Sequence, residues 1–193
     1  MSIFEEAYRG TPPWDIGRPQ TTFVALEESG EIAGDVLDVG CGTGENALFL
    51  AGRGHTVWGV DAAQSAIEIA RRKAEERGLA ATFRVQDALR LQELGRTFDT
   101  IIDSGLFHAL SDPERPLYAR SLSAVLRPGG TYFMLAFSEL EPGEYPLPRR
   151  LRQDEIRRAF SDGWRIDWIR AERFENRLHP RGSRAWLSSI ARA

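Results

Sequence analysis

Apolar positions along the chain fall into two alternating rhythms. Short apolar runs at residues 35–39, 56–60, 81–86, 98–103 and 130–137 read as buried strands. Between them lie helical patterns at 45–53, 63–77 and about 113–126. In the second of these, Ala66, Ile67, Ala70 and Ala74 recur on one helical face, and Gly78 supplies a stop. The third opens at Asp112-Pro113 and closes at Pro128-Gly129-Gly130. Strand and helix in alternation predict βαβ units around a mostly parallel sheet.

The rhythm changes after Phe137. Residues 138–148, rich in Pro, Gly and Glu, read as a long loop, and a short helix follows at about 153–160. Two strand-like runs, 164–174 and 185–190, flank a turn at His179-Pro180-Arg181-Gly182, which predicts an antiparallel hairpin at one sheet edge. At the other end, residues 1–20 contain Thr11-Pro12-Pro13-Trp14-Asp15 and match no strand. They read either as a surface arm that packs Trp14 or as a lid over a ligand site.

Composition narrows the options. A chain of 193 residues with 42% hydrophobic and 27% charged residues suits one soluble domain. Its net charge of −3 leaves no broad basic surface for nucleic acid. The single cysteine, Cys41, excludes an internal disulfide framework and a cysteine-rich metal site. No apolar run approaches the roughly 20 residues that span a bilayer, and the first residues carry acids rather than an apolar signal core. A cytoplasmic protein without membrane or nucleic-acid partners is the expectation.

The stretch Asp35-Val-Leu-Asp-Val-Gly-Cys-Gly-Thr-Gly44 places Gly40, Gly42 and Gly44 between a strand and a helix. Glycine there exposes backbone N–H groups and lets a ligand approach closely. A dinucleotide fingerprint would need Gly-x-Gly-x-x-Gly, but Glu45 stands where its third glycine would fall. An acid at that place would repel a pyrophosphate, which argues against a nicotinamide-dependent reductase.

The run Val36-Leu-Asp-Val-Gly-Cys-Gly-Thr-Gly44 resembles the first motif of class I S-adenosylmethionine-dependent methyltransferases. Val57-Trp-Gly-Val-Asp61 is similar to that family's second strand with its terminal acid. Arg84-Val-Gln-Asp-Ala88, Phe98-Asp-Thr-Ile-Ile-Asp103 and Leu126-Arg-Pro-Gly-Gly-Thr-Tyr132 resemble the third strand, the fourth strand and the turn into the fifth. The likeness covers residues 35–137. It implies a Rossmann-like α/β fold with helices on both faces and a seven-stranded, mostly parallel sheet, order 3-2-1-4-5-7-6, with the last strand antiparallel. One domain is expected, made of an arm or lid (1–20), a cofactor core (35–137) and a substrate loop with C-terminal hairpin (138–193).

The resemblance also implies site roles. Backbone at Gly40, Cys41, Gly42 and Gly44 would pass the methionine part of S-adenosylmethionine, with Asp38 near its ammonium. Asp61 would accept from the ribose hydroxyls and Asp87 from the adenine amino group, with Ala88 and Leu89 lining the ring. Trp14, Asn46, Ala62 and Ser104 complete the expected cofactor shell. Each Asp taken alone could equally be a helix cap or strand-end residue. Cys41 as a nucleophile is disfavoured by its neighbours.

No Asn/Asp-Pro-Pro-aromatic motif, catechol-type metal set or paired-glutamate loop is present. What remains is similar to the small-molecule branch that includes thiopurine, tellurite-resistance and heterocyclic-toxin methyltransferases. The expected activity is methyl transfer to an O, S or N atom of a small aromatic or heterocyclic acceptor; the alternative is a non-catalytic cofactor-binding sensor or partner subunit. His108, five residues past Asp103, is the candidate general base, since an imidazole of ordinary pKa suits a phenol or thiol. It could instead shape the pocket. Phe107, Tyr145, His179 and Arg181 are candidate acceptor contacts, against solvated-turn readings for the last two. Acceptor identity and oligomeric state are left open.

Overall fold

The computed structural model describes residues 3–143 and 148–193. Seven strands, β1 (Asp35–Val39), β2 (Thr56–Asp61), β3 (Ala81–Val85), β4 (Phe98–Ser104), β5 (Leu126–Phe137), β6 (Trp164–Phe174) and β7 (Ser183–Arg192), form one sheet. Their order is β3-β2-β1-β4-β5-β7-β6, as expected. All neighbours pair in parallel except β7, which runs against both β5 and β6. The helices are α1 (Ile3–Ala7), α2 (Thr21–Glu28), α3 (Glu45–Gly52), α4 (Gln64–Glu76), α5 (Glu114–Val125) and α6 (Gln153–Ala159), with 3₁₀ segments at Ala88–Leu94 and Phe107–Ala109.

Alternation along the central strands sends side chains into two cores, one on each face. Leu37, Val39, Ile101, Tyr132 and Met134 pack with α5 and α6 on one side. Val36, Val57, Ile102, Phe133 and Leu135 pack with α2, α3 and α4 on the other. The α4 stripe of Ala66, Ile67, Ala70 and Ala74 is buried as its spacing predicts. Gly78, at φ +61°, follows the end of that helix.

Three differences from the sequence reading have physical causes. Strand β5 starts at Leu126, not Gly130, because the Pro128-Gly129-Gly130 turn bulges out within the strand. Leu126 pairs with Phe98 while Thr131 pairs with Thr100, so β5 carries extra residues there. Helix α2 gave no signal because it is short and its first turn lacks a side-chain cap; burial of Phe23 and Leu26 anchors it. The 3₁₀ turn at Ala88–Leu94 depends on Asp87, whose side chain accepts from Leu89 N. Among the described residues, no helix is long and apolar enough to cross a membrane.

Ile67 is fully buried at the α4–sheet contact. Ile67→Ala is expected to lower stability by about 2–5 kcal/mol, as an unfilled cavity does, and this is read as a lower urea midpoint with an unchanged slope.

Candidate active site

The carboxyl ends of β1, β2 and β4 carry the chemistry. Where β1 ends, Gly40 at φ +70° and Gly42 at φ +52° turn the chain back over the sheet in a conformation that favours glycine. The N–H groups of Gly40 and Cys41 donate to Val60 O at 2.8 and 2.9 Å, tying the loop to β2. A side chain at Gly42 would meet Tyr8 Oη, and one at Gly40 would meet Leu106. Gly44 differs: a side chain there would strike Phe83 and Ala70, so it serves helix–sheet packing.

Asp61 pins two loops at once. Its carboxylate accepts from Gly42 N at 2.9 Å and from Ala63 N at 2.8 Å. Each oxygen keeps a further lone pair for a hydroxyl donor. Burial pushes its pKa up, against the pull of these N–H groups. Asp38 is 1% exposed and neither of its oxygens has a hydrogen-bond partner among the described residues. Burial first, and then the charge of Asp103, raises its pKa to about 8. The Ala47 N–H pulls the other way without closing a hydrogen bond by geometry. A buried acid with no donor fits a site completed by a cation above the loop.

Asp103 is equally buried but fully answered. It accepts from Leu106 N, Phe107 N, Tyr118 Oη and Tyr132 Oη at 2.7–3.1 Å. Burial still lifts its pKa to about 6. The turn it holds carries His108, whose Nδ1 accepts from Phe137 N at 3.0 Å. That bond commits the neutral ring to the Nε2–H tautomer. Burial, and then the nearby charge of Arg115, lowers the His108 pKa to about 3. The ring lies 4.6 Å from Phe137 and 5.7 Å from Phe174, beside Gly105, where a side chain would collide with Phe174.

Other expected residues are placed variously. Cys41 is half-buried and its thiol pKa is pushed up by burial, which leaves it inert as a nucleophile. Asp87 caps the turn that sets Ala88 and Leu89 against the core. Ala62 is exposed, and Ser104, half-buried, ends β4. Asn46 accepts from Gln20 N at 2.9 Å and so ties the N-terminal segment to α3. Phe107, expected beside the acceptor, is instead sealed in the core against Tyr118 and Phe160. His179 and Arg181 sit on the β6–β7 turn, and Tyr145 lies outside the described residues. Glu45 turns to Lys73 and Arg77 at 2.8 Å, so its charge is neutralised and the repulsion expected of it is weak. No His, Cys, Asp and Glu cluster among the described residues could hold a metal.

The N-terminal segment lies over the glycine loop and is strapped to the β6–β7 connection. Trp14 Nε1 donates to Tyr8 Oη at 2.9 Å, and Thr43 Oγ1 donates to Asp15 at 2.9 Å. Glu175 accepts from Arg18 at 2.7 and 3.1 Å and from Thr21 N and Oγ1 at 2.8 and 2.7 Å. Its backbone exchanges two bonds with the Gln20 side chain, and Arg177 N donates to Pro13 O. Sequence reasoning missed Glu175 and Arg177, because nothing local marks a partner 155 residues or more away, and Tyr8, whose place over Gly42 is set by the fold.

A family profile described as methyltransferase domain matches residues 36–130. A 2-heptyl-1-hydroxyquinolin-4(1H)-one methyltransferase of Mycobacteroides abscessus is 40% identical over 179 residues, covering 88% of this chain and 79% of that protein. A structure solved in work on conversion of a disulfide bond into a thioacetal group during echinomycin biosynthesis superposes with a TM-score of 0.90. It is 38% identical and covers 98% of this chain and 91% of the other. The magnesium protoporphyrin IX methyltransferase of Synechocystis, with bound S-adenosylhomocysteine, shares the fold at a TM-score of 0.69. There the identity is 23%, with 90% and 81% of the two chains covered. Fold, glycine loop and relatives together place the chain in the S-adenosylmethionine-dependent methyltransferases, in their class I small-molecule branch.

Arg18, with help from Thr21, holds the Glu175 carboxyl down to about 2. A lowered carboxylate pKa stabilises the fold above the ordinary value near 4.5 and loses that contribution as pH falls toward 2. Glu175→Gln is therefore expected to cost about 1–2 kcal/mol at neutral pH. Urea midpoints of the two proteins should converge across that acidic window, and trypsin should cut the variant's N-terminal segment faster.

Proposed function

We propose that the chain methylates an acidic O, S or N–O heteroatom of a small aromatic heterocycle, as an EC 2.1.1.- transferase. The observation that carries this reading is the His108 tautomer. With Nδ1 engaged by Phe137 N–H and Nε2 protonated, the ring can donate a hydrogen bond but has no lone pair with which to take a proton. An acceptor that ionises by itself near neutral pH needs no base, and an anionic heteroatom is steadied by a neutral N–H donor. Phe137, half-buried beside the imidazole, suits a flat ring. The Mycobacteroides relative, named for a hydroxyquinolinone, supports the same class.

When bound, S-adenosylmethionine supplies a methyl group on a sulfonium. The loop of Gly40, Cys41, Gly42 and Gly44, with Asn46 and Ser104, would hold its amino-acid end over Asp38. Asp61 and Ala62 would take the ribose, and Asp87, Ala88 and Leu89 the adenine. Trp14 and Tyr8 would close the arm and exclude water. His179 and Arg181 would face the acceptor side.

Two experiments follow. Labelled S-adenosylmethionine is offered with a panel of N-hydroxy heterocycles, phenols, thiols and amines, and label is expected in the acidic classes; label confined to amines would refute the assignment. In the same assay His108→Asn should slow transfer about tenfold, the size of one lost hydrogen bond to a charged group, while the pH profile tracks the acceptor's own pKa. A wild-type limb near the ordinary imidazole value, absent in the variant, would restore His108 as the base. The second experiment concerns Asp38, which must lose its proton when an ammonium settles above it. Affinity for S-adenosylhomocysteine should rise about tenfold per pH unit up to about 8 and then level off. Calorimetry on Asp38→Asn should show that slope abolished.

A further inference from the structure

Arginines on this protein are mostly answered by acids. Arg18 pairs with Glu175, Arg77 with Glu45, and Arg127 with Asp99 and Asp35. One cluster breaks the pattern. A cavity of about 530 Å³ beside the β6–β7 turn is lined by Arg173, His179, Arg181 and Arg184, with Glu141 and Gly182. None of these three arginines forms an ion pair among the described residues. The guanidinium groups of Arg173 and Arg184 donate only to the backbone carbonyls of Gly182 and Leu140 among the described residues. Glu141, the acid in the lining, directs its carboxylate to the backbone N–H of Arg184.

The two strand arginines are also placed against each other. Arg173 and Arg184 are direct cross-strand partners in the β6–β7 ladder, so their side chains share one face. Like charges directly opposite cost stability in an antiparallel pair. In a chain of net charge −3, three guanidinium groups and an imidazole around one concavity are a local reversal of sign. An anion seated among them would relieve the repulsion and engage planar donors suited to paired oxygens.

The cavity borders the β6–β7 connection to which the N-terminal segment is strapped: Arg173 stands two residues before Glu175, with its side chain on the face of β6 opposite to that of Phe174. The cavity's volume lies in the range of small-molecule sites. We propose that this pocket binds the carboxylate or phosphate group of a small organic anion through Arg173, Arg181 and Arg184. The inference deepens the methyltransferase reading and rests on it only for the identity of the anion's carrier, either the methyl acceptor itself or a second small molecule.

Binding is tested without turnover. Naphthalene-2-carboxylate is titrated by calorimetry into protein saturated with S-adenosylhomocysteine, with naphthalene-2-carboxamide as the uncharged control. The carboxylate should bind and the amide should not. Arg181→Gln, at an exposed side chain with no partner among the described residues, should weaken binding about tenfold without moving Tm, and Arg184→Gln should do the same. Equal binding of acid and amide, or an unchanged affinity in Arg181→Gln, would overturn the proposal. Failure of S-adenosylhomocysteine to bind would instead strike the methyltransferase reading. The carrier is identified by comparing, as methyl acceptors, a 1-hydroxyquinolin-4(1H)-one that bears a ring carboxylate with the same compound bearing a carboxamide. A drop in kcat/KM for the acid alone in Arg184→Gln puts the anion on the acceptor. Carboxylate binding that leaves both rates unchanged puts it on a second molecule.

Discussion

Three carboxylates converge at the carboxyl edge of the sheet, and the site is organised around keeping them there. Asp38, Asp61 and Asp103 end or nearly end β1, β2 and β4, and burial raises the pKa of each. They are treated in graded fashion. Asp103 has four donors, Asp61 two loop N–H groups, and Asp38 none among the described residues. The satisfied acid holds the turn that carries His108. The half-satisfied acid locks the glycine loop to the start of α4. The unsatisfied acid stores the electrostatic demand that a cationic ligand answers.

Above the acids, the protein closes its own roof. Tyr8 occupies the space over Gly42, and Trp14 braces Tyr8 through its indole N–H. Asp15, Arg18 and Gln20 then fasten this segment at both ends, to the glycine loop by Thr43 and to the far side of the site by Glu175. One carboxylate thus links the covering segment to the same β6–β7 connection that borders the arginine-lined cavity. The glycine loop and the β6–β7 connection are joined through one segment of chain.

The parallel core was legible in the sequence because its information is local. Alternating apolar rhythm marks β1 to β4 and the stripe on α4, and the glycine spacing marks the loop. The edge order β5-β7-β6 came through family resemblance rather than periodicity. What escaped was set by tertiary contact. Helix α2 owes its existence to Phe23 and Leu26 finding a core. Phe107 and His108 are adjacent in sequence, yet one is buried as packing and the other faces Phe137, a difference made by the bonds of Asp103 and Phe137 N. Glu45 read as a repelling charge because Lys73 and Arg77 stand more than two helical turns along another element.

The strap from Gln20 to Glu175 spans 155 residues of chain. During synthesis the covering segment emerges well before its latch. Every strand from β1 to β6 must be translated before the roof can fasten. The nascent protein therefore carries an open shelf until β6 has been made, and the β6–β7 hairpin acts as the key that shuts a door hung much earlier in the chain.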